Sequence, residues 1–132
     1  MTGGSGAGPA LRLGLDLLPL SDLDRLTGRA WFTRYAFAER ELAQADTMAA
    51  SRRREFLAGR FAAKEAVLKV LGTGLFQGVV PRDIRLVRGR TGAPEVELVG
   101  SARAAATRAG VRAVSVSITH KDSLVAAVAA GW

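Results

Sequence analysis

Glu55-Phe-Leu-Ala-Gly-Arg-Phe-Ala-Ala-Lys-Glu-Ala66 reads as the middle of a long helix. At ~100° per residue, Leu57, Phe61, Leu68 and Leu71 fall on one narrow stripe. Lys64 lies inside that stripe, and Glu65 lies on its flank, one turn before Lys69. Lysine and glutamate are rarely buried unless paired or functional. A cation in the apolar stripe with a carboxylate beside it suggests a polyanion held through a metal ion. A plainer account also fits. Lys64 could lay its methylenes on the core and keep its ammonium in water. Glu65 and Lys69 could form an ordinary i,i+4 surface pair.

Two further segments favour the ligand site. In Leu11-Arg-Leu-Gly-Leu-Asp-Leu-Leu18, period-2 alternation puts Leu11, Leu13, Leu15 and Leu17 on one face of a half-buried strand. Arg12, Gly14, Asp16 and Leu18 take the other face. Gly14 would let a backbone or ligand come close. Asp16 is either tied to backbone N–H groups or a metal ligand, since Mg²⁺ is typically held by one or two carboxylates plus substrate phosphates. In Val114-Ser-Val-Ser-Ile-Thr-His120, followed by Lys121-Asp-Ser and Leu124–Ala130, the pattern is strand, tight turn, strand. His120 is the only histidine. At a strand end it is well placed to meet a ligand.

Working outward, Ser21-Asp-Leu-Asp24 reads as a capping box opening a short helix to Gly28. Helices follow over residues 38–45 and 49–71, the latter ended by Gly72. Gly72–Pro81 is a Gly-rich loop. Ile84–Arg88 and Glu95–Val99 form a hairpin around Gly89–Pro94, and Ser101 caps a helix to Ala109. The fold class is α+β, one long central helix packed on a mostly antiparallel sheet. Residues 1–10 read as a flexible tail and residues 11–132 as a single domain.

Composition narrows the partners. The net charge is +7 and the pI about 11.2, which suggests polyanions. Residues 51–70 alone carry six cations against two carboxylates. Nucleic acid is the rival partner. Only eight residues are aromatic, and no strand alternates aromatic with basic residues. There is no cysteine, so disulfides and thiol chemistry are excluded. No apolar run approaches ~18 residues, so no membrane span is expected, and a cytoplasmic protein follows.

Taken together, Gly14-Leu-Asp16, Phe37-Ala-Glu-Arg-Glu-Leu42, Arg60-Phe-Ala-Ala-Lys-Glu-Ala66, Lys69, Gly72-Thr-Gly74 and Ser117-Ile-Thr-His120 resemble the holo-acyl-carrier-protein synthase family of 4′-phosphopantetheinyl transferases. Gly92-Ala-Pro94 and Gly100 also fit, and the resemblance spans residues 11–130. It implies an enzyme that moves the phosphopantetheine arm of coenzyme A onto a serine of an acidic acyl carrier protein, leaving adenosine 3′,5′-bisphosphate. Asp16 and Glu65 would be its Mg²⁺ ligands and, with Lys69, its catalytic residues. Lys69 and Gly72 match positions near the pyrophosphate and pantetheine arm. Arg52, Phe56 and Arg60 match positions near the 3′-phosphate, with Lys64 among the cations that hold coenzyme A. His120 matches a histidine that reaches the nucleotide, typically from a neighbouring subunit, so the resemblance implies a homotrimer with interfacial active sites.

The chain departs from the family where carriers dock. Asp22 and Trp31 stand where arginines are usual, and Arg25, Arg29 and Arg34 lie nearby. Ser115 replaces a histidine, and His120 is followed by Lys121. The sharper explanation is a specialised carrier, such as one of secondary-metabolite or polyketide synthesis rather than fatty-acid synthesis; drift is the plainer one. Two alternatives stand beside the transferase: a basic nucleic-acid-binding domain, and a subunit that binds coenzyme A or a carrier without turnover.

Overall fold

A computed structural model describes residues 10–132; the expected tail therefore lies almost wholly outside the described residues. The order is β1 (Arg12–Pro19), α1 (Leu20–Thr27), α2 (Ala30–Ala36), α3 (Glu39–Ala45), α4 (Ala50–Val70), a short 3₁₀ turn at Pro81–Asp83, β2 (Ile84–Arg88), β3 (Pro94–Leu98), α5 (Gly100–Ala109), β4 (Val114–Lys121) and β5 (Leu124–Gly131). The α+β expectation holds. The strands form two antiparallel sheets, one of order β1-β5-β4 and one pairing β2 with β3. No described helix is long and apolar enough to cross a membrane.

The central helix packs differently from a helix with a single apolar stripe. Leu57, Phe61, Val67 and Leu68 are buried, and so are the small residues Ala58, Gly59, Ala62, Ala63 and Ala66. The small residues let the three-stranded sheet approach closely. A Cβ on Gly14 would lie 1.9 Å from the Ala66 carbonyl oxygen, and one on Gly59 would lie 3.2 Å from Ile118. The larger side chains face the other way, where Phe61 meets Phe32 at 5.4 Å and Phe37 at 6.4 Å between ring centroids. Burial of α4 from both sides makes it the core of the molecule.

The strand alternation is correct, but its polarity is the reverse of that expected. Gly14 and Leu18 are buried toward α4, whereas Leu11, Leu13, Leu15 and Leu17 are 63–65 % exposed. The register sets Leu15 beside Val128 and Leu17 beside Ala126. The outer face of the sheet is therefore apolar along β1 and β5. On β4 it is lined by Ser115, Ser117 and Thr119, while Val114, Val116 and Ile118 pack inward.

Several local expectations shift. Residues 30–36 form α2, a helix beyond those expected from the sequence pattern. Pro19, not Ser21, precedes α1, and no side chain caps it. Ser101 lies inside the first turn of α5, where Asp83 Oδ2 accepts from its N–H at 2.9 Å and its hydroxyl at 2.7 Å. Pro94 belongs to β3, opposite Arg88. Gly72 does end α4, with φ of +78°. The loop after it is tied down: Phe76 donates its N–H to the Tyr35 hydroxyl at 3.0 Å, and the two rings stack 4.9 Å apart.

Candidate functional site

The close approach of β1 to α4 sets the first part of the site. With no side chain at Gly14, the strand lies against Ala66, and Asp16 arrives beside residues 65–69. Lys69 Nζ donates to the Leu15 carbonyl at 2.5 Å and stands 3.6 Å from Asp16 Oδ1. Burial raises the Asp16 pKa above the ordinary carboxylate range, against the pull of Lys69. Burial also raises that of Glu65, and the Asp16 charge adds to it. Glu65 Oε1 is buried without a hydrogen-bond partner. The two carboxylates are thus close enough to feel each other's charge, with the half-exposed Lys69 ammonium beside Asp16.

That arrangement fits a divalent cation. It offers two hard oxygen donors, one of them orphaned, and an excess of negative charge that a cation would relieve. Among the described residues no group of three or more His, Cys, Asp or Glu could hold a metal. Remaining ligands would have to come from water and a bound phosphate, as is usual for Mg²⁺.

The second part of the site lies on the other flank of α4. Arg52, Phe56 and Arg60 repeat every four residues along one stripe. Arg60 stacks its guanidinium over Phe56 at 4.4 Å, with 13 % of its side chain exposed. His120 faces α4 from β4, its Nε2 3.2 Å from Glu55 Oε2. Arg60 and Glu65 are about 140° apart around the helix. Asp16 and Ile118 share one cross-strand row through Ala127, so β1 and β4 are about 10 Å apart. The structure therefore brings Asp16, Glu65 and Lys69 together. It sets Arg52, Phe56 and Arg60 along a separate stripe on the opposite flank of the same helix, and places His120 against Glu55, between the two.

Lys64 joins neither cluster. The resemblance implies a place among the cations that hold coenzyme A; in the structure Lys64 is wholly buried. Its Nζ donates to Glu41 Oε1 at 2.5 Å and to the Pro81 carbonyl at 3.1 Å, and lies 5.5 Å from the Phe37 ring. Burial lowers its pKa, and Glu41 opposes the shift. An ammonium in this position ties α4 to α3 and to the 3₁₀ turn and has no route to a ligand. Removing one partner of such a buried pair typically costs about 3–5 kcal/mol. Glu41 lies 23 residues away, too far for local sequence to mark it as the partner. The signal available was Lys64 itself, since a lysine in an apolar stripe requires a buried acceptor.

Gly72 follows Lys69 by three residues, beside a cavity of about 340 Å³ whose lining includes Arg12, Thr73, Gln77 and Arg108. Nearby on α2, Trp31 is 49 % exposed, edge-on to Phe32 and 6.3 Å from Phe76. Trp31 and Phe76, with the half-buried Tyr35, form an aromatic patch over the buried Phe32. Arg29 and Arg34 are exposed beside it. Arg25 is partly neutralised by Asp22 at 2.7 Å. Tyr35 and Phe76 are 41 residues apart, and nothing local in the sequence links them.

Residues 12–129 match the 4′-phosphopantetheinyl transferase superfamily. The chain is 39 % identical over 127 residues to the holo-[acyl-carrier-protein] synthase of Desulforudis audaxviator, covering 92 % of this chain and 93 % of that protein. It is 48 % identical over 73 residues to the synthase of that name from Nitratidesulfovibrio vulgaris, covering 55 % of this chain and 59 % of that one. Among solved structures, the ACPS–CoA complex of Chronobacterium ammoniagenes superposes with a TM-score of 0.80 at 26 % identity, over 94 % of this chain and 98 % of that one.

Proposed function

The chain belongs to the 4′-phosphopantetheinyl transferase superfamily, and from that membership we propose that it acts as a holo-acyl-carrier-protein synthase. Its substrates are coenzyme A and an acidic apo acyl carrier protein. The carrier's serine Oγ bonds to the phosphorus that bears the pantetheine arm. The P–O bond toward the adenosine breaks, the serine proton is released, and adenosine 3′,5′-bisphosphate leaves. The observation that carries this reading is the meeting of Asp16 and Glu65 beside Lys69, with Glu65 Oε1 lacking a partner.

Mg²⁺ held by Asp16 and Glu65 would polarise phosphoryl oxygens and offset the charge that develops on them. The protein's own groups do the rest by position and charge, as phosphoryl transfer requires. Lys69 presents a point charge to the pyrophosphate. Gly72 lets the pantetheine arm run close to the backbone. Arg52 and Arg60 suit the 3′-phosphate, because guanidinium groups bind planar multi-oxygen anions well. Phe56 and His120 lie beside the same nucleotide end. The intact carboxylate pair disfavours a subunit that binds without turnover. Coenzyme A and an acidic carrier account for the +7 charge without nucleic acid.

The reading includes a homotrimer with active sites at its interfaces. Two features support it. Leu13, Leu15, Leu17 and Val128 expose a continuous apolar face that a monomer seldom leaves in water. The carboxylate pair and the Arg52–Phe56–Arg60 stripe also sit on opposite flanks of α4, so closed cyclic assembly would set one copy's metal-binding flank against a neighbour's arginine stripe. A single domain over residues 11–132, a cytoplasmic setting and a specialised carrier complete the proposal.

The test is direct. Incubate the protein with coenzyme A, Mg²⁺ and an apo-carrier, and weigh the carrier. The expected result is a mass gain of one phosphopantetheine. An unchanged carrier mass across fatty-acid and polyketide carriers would end this reading.

A further inference from the structure

Glu41 is 3 % exposed on the seven-residue helix α3, and its two oxygens have different surroundings. Oε1 accepts from Lys64 Nζ at 2.5 Å and from the Ala38 N–H at 3.0 Å. Those two bonds fix the carboxylate plane. Oε2 is buried, has no hydrogen-bond partner, and lies 3.9 Å from Arg60 Nε. Arg60 Nε is likewise buried and partnerless. Both atoms are thus held just beyond hydrogen-bond range of each other, and such orphaned groups are costly. Burial lowers the Arg60 pKa, and the charge of Arg88 adds to that; Glu41 opposes both.

From this geometry we propose that Glu41 is a positioning residue for Arg60, one that aims the guanidinium at the 3′-phosphate of coenzyme A and so sets selectivity for the 3′-phosphorylated substrate. The inference rests on the transferase reading above. Lys64 anchors Oε1 from the core side, and Oε2 takes Arg60 Nε when the phosphate draws the guanidinium into register. The Phe56 ring stacks against the guanidinium, 4.4 Å from its central carbon. The terminal nitrogens of Arg60 are left for the ligand. Lys64 therefore contributes to ligand binding only through Glu41.

The test compares coenzyme A with 3′-dephospho-coenzyme A as donors to one carrier. In Glu41→Gln, an amide donor can face Arg60 Nε–H where an acceptor stood. The ratio of kcat/KM for the two donors is expected to fall about tenfold, the size of one lost hydrogen bond to a charged group, mainly through KM for coenzyme A. Should Glu41→Gln fail to fold with Lys64 unpaired, Glu41→Gln with Lys64→Met removes the orphaned ammonium and is read the same way. In an Arg60→Ala background, Glu41→Gln should leave the ratio where Arg60→Ala alone puts it. A ratio equal to the wild-type value, or equal losses with both donors, would overturn the proposal and leave Glu41 a structural residue. A wild-type protein that transfers from neither donor would instead overturn the transferase reading.

Discussion

Gly14 on β1 lies against the backbone of Ala66 on α4, so close that a Cβ there would stand 1.9 Å from the Ala66 oxygen. The clash is with a carbonyl inside a 21-residue helix, which cannot swing aside. Gly14→Ala must therefore push the strand off the helix and carry Asp16 with it. The expected cost is about 1–3 kcal/mol of stability, as for overpacking elsewhere, together with a large loss of activity. Thermal unfolding read beside transfer rate checks both, and an unchanged melting temperature would contradict this contact.

Asp16→Asn and Glu65→Gln should each lower turnover by at least about 100-fold, because each would remove a ligand from the proposed Mg²⁺, whose charge stabilisation would be worth several kcal/mol. Their fold should survive, since neither carboxylate holds two elements together through a buried hydrogen bond. Circular dichroism with the carrier-mass assay separates the two effects. Near-normal activity in either variant at saturating coenzyme A would remove the metal assignment.

The same pair predicts how stability varies with pH in the absence of metal. Both folded pKa values are raised, so the folded state binds more protons than the unfolded state through this window. Stability should then fall as pH rises from the unfolded carboxylate range of about 4 through the raised folded values. Asp16→Asn should flatten that slope. Mg²⁺ should raise the wild-type melting temperature at neutral pH and leave that of Asp16→Asn unmoved. A wild-type protein whose melting temperature ignores Mg²⁺ at millimolar concentration would contradict the prediction.

Leu15 and Val128 are cross-strand neighbours on the exposed sheet face, 64 % and 42 % accessible. Leu15→Glu should yield a monomer with little activity, since a charge buried there would be unpaired. Light scattering reports the mass. A wild-type protein that is active as a monomer at working concentration would remove the assembly proposal.

Carrier recognition should depend on the aromatic patch and its free cations. Trp31→Ala and Arg29→Glu should raise KM for the carrier severalfold, leaving that for coenzyme A nearly unchanged. Rim charges of this kind act mainly on association rate and salt dependence. Arg25→Glu should have a smaller effect than Arg29→Glu, because Asp22 already offsets Arg25 at 2.7 Å. A panel of unrelated apo-carriers should show preference for one. Equal kcat/KM across the panel would mean that Asp22 and Trp31 are drift.

Much of this protein can be read along the chain, because the relevant physics is local. Periodicity near 3.6 gives α4, and Gly72 past its end adopts the positive φ that a helix stop favours. Period-2 alternation gives β1 and β4, the apolar run after the turn gives β5, and the positions of Asp16, Glu65, Lys69 and His120 along these elements mark the residues worth watching. Alternation alone cannot say which side of a strand is the inside. The β1 leucines invite burial. They stay outward because Gly14 alone permits contact with α4, and a strand holds both sets of side chains on opposite faces by geometry. Lys64 shows the same limit. Its place in an apolar stripe announces burial, but its partner Glu41 comes from another helix. The division of the site into two flanks is likewise decided by the crossing of β1 and β4 over one helix. Local sequence sets the backbone period of each element, whereas the start of a helix depends on neighbours, as where Asp83 holds Ser101 inside the first turn of α5. Pairings between elements depend on which surfaces the packed chain brings within a few ångströms, and only the tertiary structure decides that.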